Sequence, residues 1–263
     1  YGSDAAKAQK LRSKTSGAMK THKLGPSLPT RRQSGFDSKH GENSDDLVAG
    51  DVRAIEQPGL ASMHSLFLNE HNRLAELLSG NADDDEVYNI ARKVVGAEMQ
   101  NIVYEEFLPV VLGNPIMEKY NLKLPDDKEG DTVYNPSVDP TIANEFATVA
   151  YRFGHSLIPN LFLPSSPPIR SHNHCPLHEN FFQFDEFVIG ADKSGKAWQN
   201  LLIGMQYQQS PAMDSSVSNN VIDFLFCMEN CKLPKGFGQD LAARNIQRGR
   251  DHGLPSYLTF REF

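Results

Sequence analysis

A chain of 263 residues is long enough to bury a sizeable core, as one large domain or two small ones, and 39% hydrophobic with 22% charged residues is too apolar for a disordered polymer. No apolar run approaches the ~20 residues that cross a bilayer, so no segment reads as membrane-spanning. The net charge of −7 hides a division: residues 1–40 carry nine Lys or Arg against two acids, and the remainder is strongly acidic.

A basic arm can meet nucleic acid or an anionic surface. Here no aromatic residues interleave with the cations and no recognition helix follows, so no nucleic-acid partner is expected. Residues 1–46 read as a long, solvated, irregular excursion with one short helix around Ala5–Leu11. The chain opens on Tyr1 with neither a starting Met nor a signal pattern, and stops a few residues past a motif-rich helix; both ends read as cut.

Pro58 opens a helix with apolar residues at Met63, Leu66, Phe67, Leu74, Leu77 and Leu78, closed by Gly80. A second starts at the acidic cap Asp83-Asp84-Asp85. It carries Val87, Ile90, Ala91, Val94, Met99 and Ile102, and ends by Pro109 and Gly113. A third starts at Asp139-Pro140, the order preferred for a cap and first-turn proline, with the stripe Ile142, Phe146, Val149, Ala150, Phe153 and Leu157. A loop-rich region comes after Pro159, with a His-rich stretch at Ser171–Glu179. Two more helices are predicted around Val221–Asn230 and Gln239–His252. Few strands are expected, and the class is mainly α.

Three clusters carry candidate chemistry. At 100° per residue, His155 lies opposite the apolar stripe, with Asn144, Thr148 and Tyr151. Position alone makes it a solvent-facing histidine. Gly154 beside it removes side-chain bulk where a flat group could approach, and Arg152 offers a cation to a carboxylate. A neutral imidazole is the usual ligand of haem iron. The second cluster is Arg244-Asn245-Ile246-Gln247-Arg248-Gly249-Arg250-Asp251-His252-Gly253. It reads in part as an ion-paired helix end, Asp251 between Arg248 and Arg250, with Gly253 ending the helix. Asn245, among Ala and Ile residues, needs a polar partner if buried. The third is Ala49–Pro58, where Arg53 and Glu56 either face one cavity or form a surface ion pair.

The stretches "AGDVRAIEQPGLASMHSLFLNEHNRLAELL", "ARKVVGAEMQNIVYEEFLPVVLG", "YNPSVDPTIANEFATVAYRFGHSLI" and "DLAARNIQRGRDHGLPSY" together resemble the animal haem peroxidase family, the branch that includes myeloperoxidase and peroxidasin. They occur in the family's order across residues 47 to about 260. The resemblance implies a central piece of a mainly α peroxidase domain, incomplete at both ends. In it, residues 1–46 are a variable basic loop and residues 47–263 the haem-binding helical part.

By position, the resemblance makes His155 the axial ligand of a b-type haem iron and Asn245 the residue bonded to its far ring nitrogen. It makes Arg53 the arginine that polarises peroxide. Glu56 matches the glutamate able to form an ester to a haem methyl, and Arg152 and Arg248 are placed to meet the propionates. Gln57 stands where myeloperoxidase has a haem-linked methionine, so that link cannot form. The family's distal histidine, its ester-forming aspartate and its calcium loop precede the "YGS" match, so calcium is expected only in a fuller protein and this chain alone should be a poor catalyst. The implied partners are hydrogen peroxide and a small reducing donor, and the implied compartment is secretory or extracellular.

A non-catalytic peroxidase-like module and a cyclooxygenase-like enzyme are the rivals. Retention of His155, Asn245, Arg53 and Glu56 argues against the first, and "RGRDHG" against the second. A zinc module from His172, His174, Cys175, His178, Cys227 and Cys231 lacks the tight paired spacing of structural zinc sites. The cysteines Cys175, Cys227 and Cys231 are too few and too uneven to suggest a disulfide framework. Asn135-Pro136-Ser137 has the proline that forbids glycosylation.

Overall fold

The computed structural model describes residues 1–2, 4–37, 43–80, 82–123, 135–164, 175–190, 192–227, 231 and 238–262. In chain order the helices are α1 (Ala5–Leu11), α2 (Arg31–Ser34), α3 (Pro58–Leu78), α4 (Asp84–Asn101), α5 (Leu108–Leu112), α6 (Asn114–Lys119), α7 (Asn144–Thr148), α8 (Ala197–Tyr207), α9 (Asn219–Ile222), α10 (Leu241–Asp251) and α11 (Tyr257–Arg261). Tight 3-10 turns cover Val52–Ile55, Ala150–Leu157 and Leu177–Glu179, and wide π turns cover Ile102–Phe107 and Asp185–Gly190. Two short strands, β1 (Leu161–Phe162) and β2 (Cys175–Pro176), pair antiparallel with Leu161 opposite Pro176 and Phe162 opposite Cys175. The class is mainly α, as the sequence predicts.

The chain forms two compact units. One holds residues 1–11, 20–68 and 142–263, and the other residues 12–19 and 69–141. In the first, the core gathers Phe162, Cys175, Leu177, Phe181, Phe187, Leu201, Val221 and Leu225, with Ile158, Met205 and Leu241 packed around it. Helix α8 supplies Leu201 from a face that also buries Trp198 and Gly204. The spacing of three residues puts those positions on one side of a helix. Sequence reading passes over α8 because its start carries no local signal: Lys196 precedes it and makes no side-chain cap.

In the second unit Val87, Ala91 and Ala75 form a small core with Leu74. Arg12 is 3% exposed and grips Asp84 and Asp85 at 2.6 Å each, while its guanidinium lies 4.1 Å over the Tyr88 ring. The Gly17 amide donates to the Asp84 carboxylate at 2.7 Å, and its carbonyl meets His71 Nε2 at 2.9 Å. A side chain at position 17 would collide with the Tyr88 backbone and with Val87, and φ there is +68°. Arg12 and Gly17 therefore correct the solvated-loop expectation for the basic arm: an ion pair and a hydrogen-bonded turn bury part of it. Helix α1 falls where the sequence places it.

Helix α3 spans the predicted residues, but its buried side is not the predicted stripe. Met63, Leu66 and Leu77 are exposed, whereas Ala61, Ser62, Ser65, Leu68, His71 and Ala75 are buried. Small residues allow close approach, and the serine hydroxyls satisfy themselves within the helix: Ser62 Oγ donates to Pro58 O at 2.8 Å and Ser65 Oγ to Ala61 O at 2.9 Å. Helix α4 begins at the predicted cap, Asp83 accepting from Asp85 N. Its buried face is Val87, Tyr88, Ala91 and Val95, while Ile90, Val94, Met99 and Ile102 are exposed. The continuous helix predicted to Pro109 is interrupted by the π turn, which rotates the facing of the residues beyond it.

The third predicted helix is the most altered. Asp139 accepts from Thr141 N in a local turn instead of capping, and α7 starts at Asn144. Val149 (φ −135°, ψ −51°) breaks the α winding, and a 3-10 helix continues to Leu157. Ile142, Phe146 and Val149 face outward, and the polar Thr148 is buried. Of the helix predicted over Val221–Asn230, only α9 (Asn219–Ile222) forms in that region among the described residues.

Candidate functional site

The 3-10 turn Val52–Ile55 is capped by Asp51, which accepts from Arg53 N. The same carboxylate takes a two-pronged pair from the Arg53 side chain, Nε at 2.9 Å and Nη2 at 2.7 Å. These bonds hold the Asp51 carboxyl well below the usual carboxylate range and make the guanidinium harder to deprotonate. Both side chains are largely exposed, so the pair itself contributes little stability. The surface-pair alternative thus holds for Arg53, but its partner is Asp51, not Glu56.

Glu56 is half-buried, and burial pushes its carboxyl above the ordinary range; the charge of Arg53 partly offsets this, and Arg244 also acts to lower it. Gln57 has a structural task, its Oε1 accepting from Gly59 N at 2.6 Å at the start of α3.

The change of winding at Val149 decides how the next residues face. A 3-10 helix turns 120° per residue, so positions three apart eclipse. Arg152 and His155 therefore share an edge, whereas α geometry would group His155 with Tyr151. His155 Nδ1 lies 2.8 Å from Asn245 Nδ2 on α10, and Arg152 Nη1 donates to Asn245 Oδ1 at 3.5 Å. Arg152 is steadied by Nε donating to Ala147 O at 3.3 Å. Burial, and secondly the Arg152 charge, lower the His155 pKa, which keeps the imidazole neutral at neutral pH.

A neutral imidazole that ligates through Nε2 must carry its proton on Nδ1, where it needs an acceptor. The oxygen of the Asn245 amide serves after a half-turn of that amide, which exchanges Oδ1 and Nδ2 within the same outline and gives up the long 3.5 Å bond from Arg152. Nε2 makes no hydrogen bond among the described residues. A side chain on the preceding Gly154 would meet nothing within 4 Å, so the chain borders open space there. His155, Asn245, Arg152 and Gly154 fit a flat, metal-centred, anionic group.

Helix α10 is capped by Asp240 accepting from Ala243 N at 2.9 Å. It ends as predicted at Gly253 (φ +63°), with Gly253 N donating to Arg250 O and Leu254 N to Gly249 O at 3.1 Å each. The predicted Arg248–Asp251–Arg250 ion pair does not form, since Asp251 accepts from Gln247 Nε2 at 2.8 Å. Arg248 is exposed and makes no ion pair among the described residues. The structure thus joins His155, Asn245 and Arg152 by hydrogen bonds. Glu56 comes within the electrostatic reach of Arg53 and Arg244, while neither Arg53 nor Arg248 bonds the histidine among the described residues.

Sequence reading misses a second junction, between α7 and the end of α10. His252 Nδ1 lies 2.8 Å from Asn144 Oδ1 and 3.3 Å from Thr148 Oγ1, and Asn144 Nδ2 donates to the His252 carbonyl at 3.3 Å. The proximity of His252 to the arginine cluster is its only signal.

Cys227 and Cys231 form a single disulfide, which the cysteine count does not suggest and which removes both thiolates from any zinc site. Cys175 is buried, with its thiol pushed up to about 12 by burial, and is inert at neutral pH. His172 and His174 lie outside the described residues.

The family model described as animal haem peroxidase matches residues 1–263. Over 249 residues the chain is 37% identical to a peroxidasin homolog of Caenorhabditis elegans, covering 90% of this chain and 18% of that protein. Over 225 residues it is 41% identical to human myeloperoxidase, covering 82% of this chain and 28% of that protein. Among solved structures, peroxidase A from Dictyostelium discoideum superposes with a TM-score of 0.75 at 28% identity, covering 100% of this chain and 48% of that one. The chain thus spans less than a third of the curated relatives and about half of the solved peroxidase.

Proposed function

We propose, from the premise that this chain belongs to the animal haem peroxidase family, that its natural protein uses hydrogen peroxide to oxidise a small donor, a halide or a phenol, with His155 as the axial ligand of a b-type haem iron. The observation that carries this reading is the setting of His155: its Nδ1 lies 2.8 Å from the Asn245 amide, its Nε2 has no partner among the described residues, and burial favours its neutral form. When bound, the haem supplies the redox chemistry that side chains cannot. The chain's own residues hold and tune it.

Asn245, accepting from Nδ1–H, fixes the ring and raises its basicity, the usual service of a residue behind a metal-bound histidine. Arg152 and Arg248 supply cations for the two propionates. Glu56 is the carboxylate for an ester to a haem methyl. Arg53 would offer its guanidinium to charge developing on a peroxide, which would require it to turn from Asp51; an exposed pair gives it up at little cost. In this reading the base that takes the peroxide proton, and the calcium loop, belong to residues outside these 263. The Cys227–Cys231 disulfide supports a secretory or extracellular setting. No helix among the described residues is long and apolar enough to cross a membrane.

The test is the absorption spectrum of the haem-reconstituted natural protein beside its His155→Ala variant. Loss or marked displacement of the Soret band is expected. An unchanged band would remove His155 as the ligand.

A second expected result concerns the covalent links. After cycling with peroxide, proteolysis and mass spectrometry should find haem on the Glu56 peptide and none joined through Gln57. The Glu56 carboxylate would be a stronger nucleophile toward a haem methyl than the Gln57 carboxamide, which is already engaged with Gly59. Glu56→Gln should abolish that link and leave ligation by His155 intact. Haem extracted as easily after cycling as before would refute the ester.

A further inference from the structure

Helix α10 buries no side chain, so packing alone does not fix where it lies. Leu241 at its start packs against the core of its unit. Beyond that point, polar bonds to the α7–3-10 segment hold it at two places. Asn245 meets His155 and Arg152, and seven residues later His252 meets Asn144 and Thr148. The two segments run antiparallel through these bonds, 245 to 155 and 252 to 144.

We infer that His252, Asn144 and Thr148 form a clamp that positions Asn245 on His155, so that His252 acts on the iron ligand without touching it. The inference rests on the haem reading of His155. The physical reason is leverage. With one end tied at Leu241 and the other at His252, α10 cannot swing, and a hydrogen bond tolerates little displacement before it weakens. Freed at His252, the helix pivots about Leu241 and draws Asn245 off the ring. The clamp is well formed for this: Asn144 bonds both the imidazole and the carbonyl of His252, while Thr148, 3% exposed, closes the third side.

The experiment uses the haem-loaded natural protein before any exposure to peroxide. Resonance Raman spectroscopy of the ferrous form reads the iron–histidine stretch, which reports how strongly Nδ1–H is held. His252→Ala should lower that frequency in the direction given by Asn245→Ala, and by less. Haem should leave it roughly threefold to tenfold faster, below the roughly 10–100-fold expected for losing the bonded residue itself. His252→Asn places a polar atom where Nδ1 sits and should restore the wild-type frequency. Asn144→Ala, on the opposite segment, should reproduce the shift, and combining it with His252→Ala should add nothing. Both residues are exposed, so these variants should fold. A stretch unchanged in both alanine variants overturns the clamp and leaves the haem reading standing. A wild-type protein with no iron–histidine stretch overturns both.

Discussion

Replacing Arg53 with alanine is expected to slow the reaction of the haem-loaded protein with hydrogen peroxide by roughly 10²–10³, the usual cost of removing one preorganised donor aimed at developing charge. Haem content and stability should hardly move. The Arg53 side chain is 71% exposed and, among the described residues, is paired with Asp51 alone, so its loss opens no cavity and strands no buried charge. Stopped-flow mixing with peroxide measures the rate, and urea denaturation the stability. A rate equal to wild type would reduce Arg53 to a surface ion-pair residue. A large loss of stability would show that its bonds to Asp51, not peroxide, are what the protein needs it for.

The largest effect on folding is expected in the core of the first unit. Leu201 is fully buried among Phe162, Leu177, Phe187 and Val221. Leu201→Ala removes its methyl groups and leaves a cavity that the aromatic neighbours only partly fill, at a cost of roughly 2–5 kcal/mol. That is a large share of the roughly 5–15 kcal/mol by which a folded protein exceeds its unfolded state. Leu77→Ala is the control. At 71% exposure it should cost no more than about 0.5 kcal/mol. Urea midpoints for the two variants give the comparison, and equal midpoints would mean that α8 does not build the core.

Short-range chemistry is the part of this fold that is legible in the sequence. Asp83 announces α4 and Gly253 ends α10 because a cap or a left-handed residue acts within one turn. The apolar stripes mislead because side-chain size and burial part company here. The buried side of α3 is built from Ala61, Ser65 and Ala75, while the bulkier Met63 and Leu66 face outward. The His155–Asn245 pair is legible through resemblance, not periodicity, since the 3-10 winding that aligns His155 with Arg152 leaves no mark in an α-helical projection. The junction of Asn144 with His252 joins residues 108 apart, beyond the reach of any local pattern.

The break at Val149 has a geometric meaning of its own. Along α10, Asn245 and His252 are about 10.5 Å apart at 1.5 Å per residue. Their partners His155 and Asn144 are joined by roughly 20 Å of contour, because the 3-10 portion rises about 2 Å per residue. An arc of that length meets a chord of about half of it only by folding, and Val149, where the α winding stops, supplies the fold. The segment therefore turns at Val149 and meets α10 near both of its ends, through His155 and through Asn144.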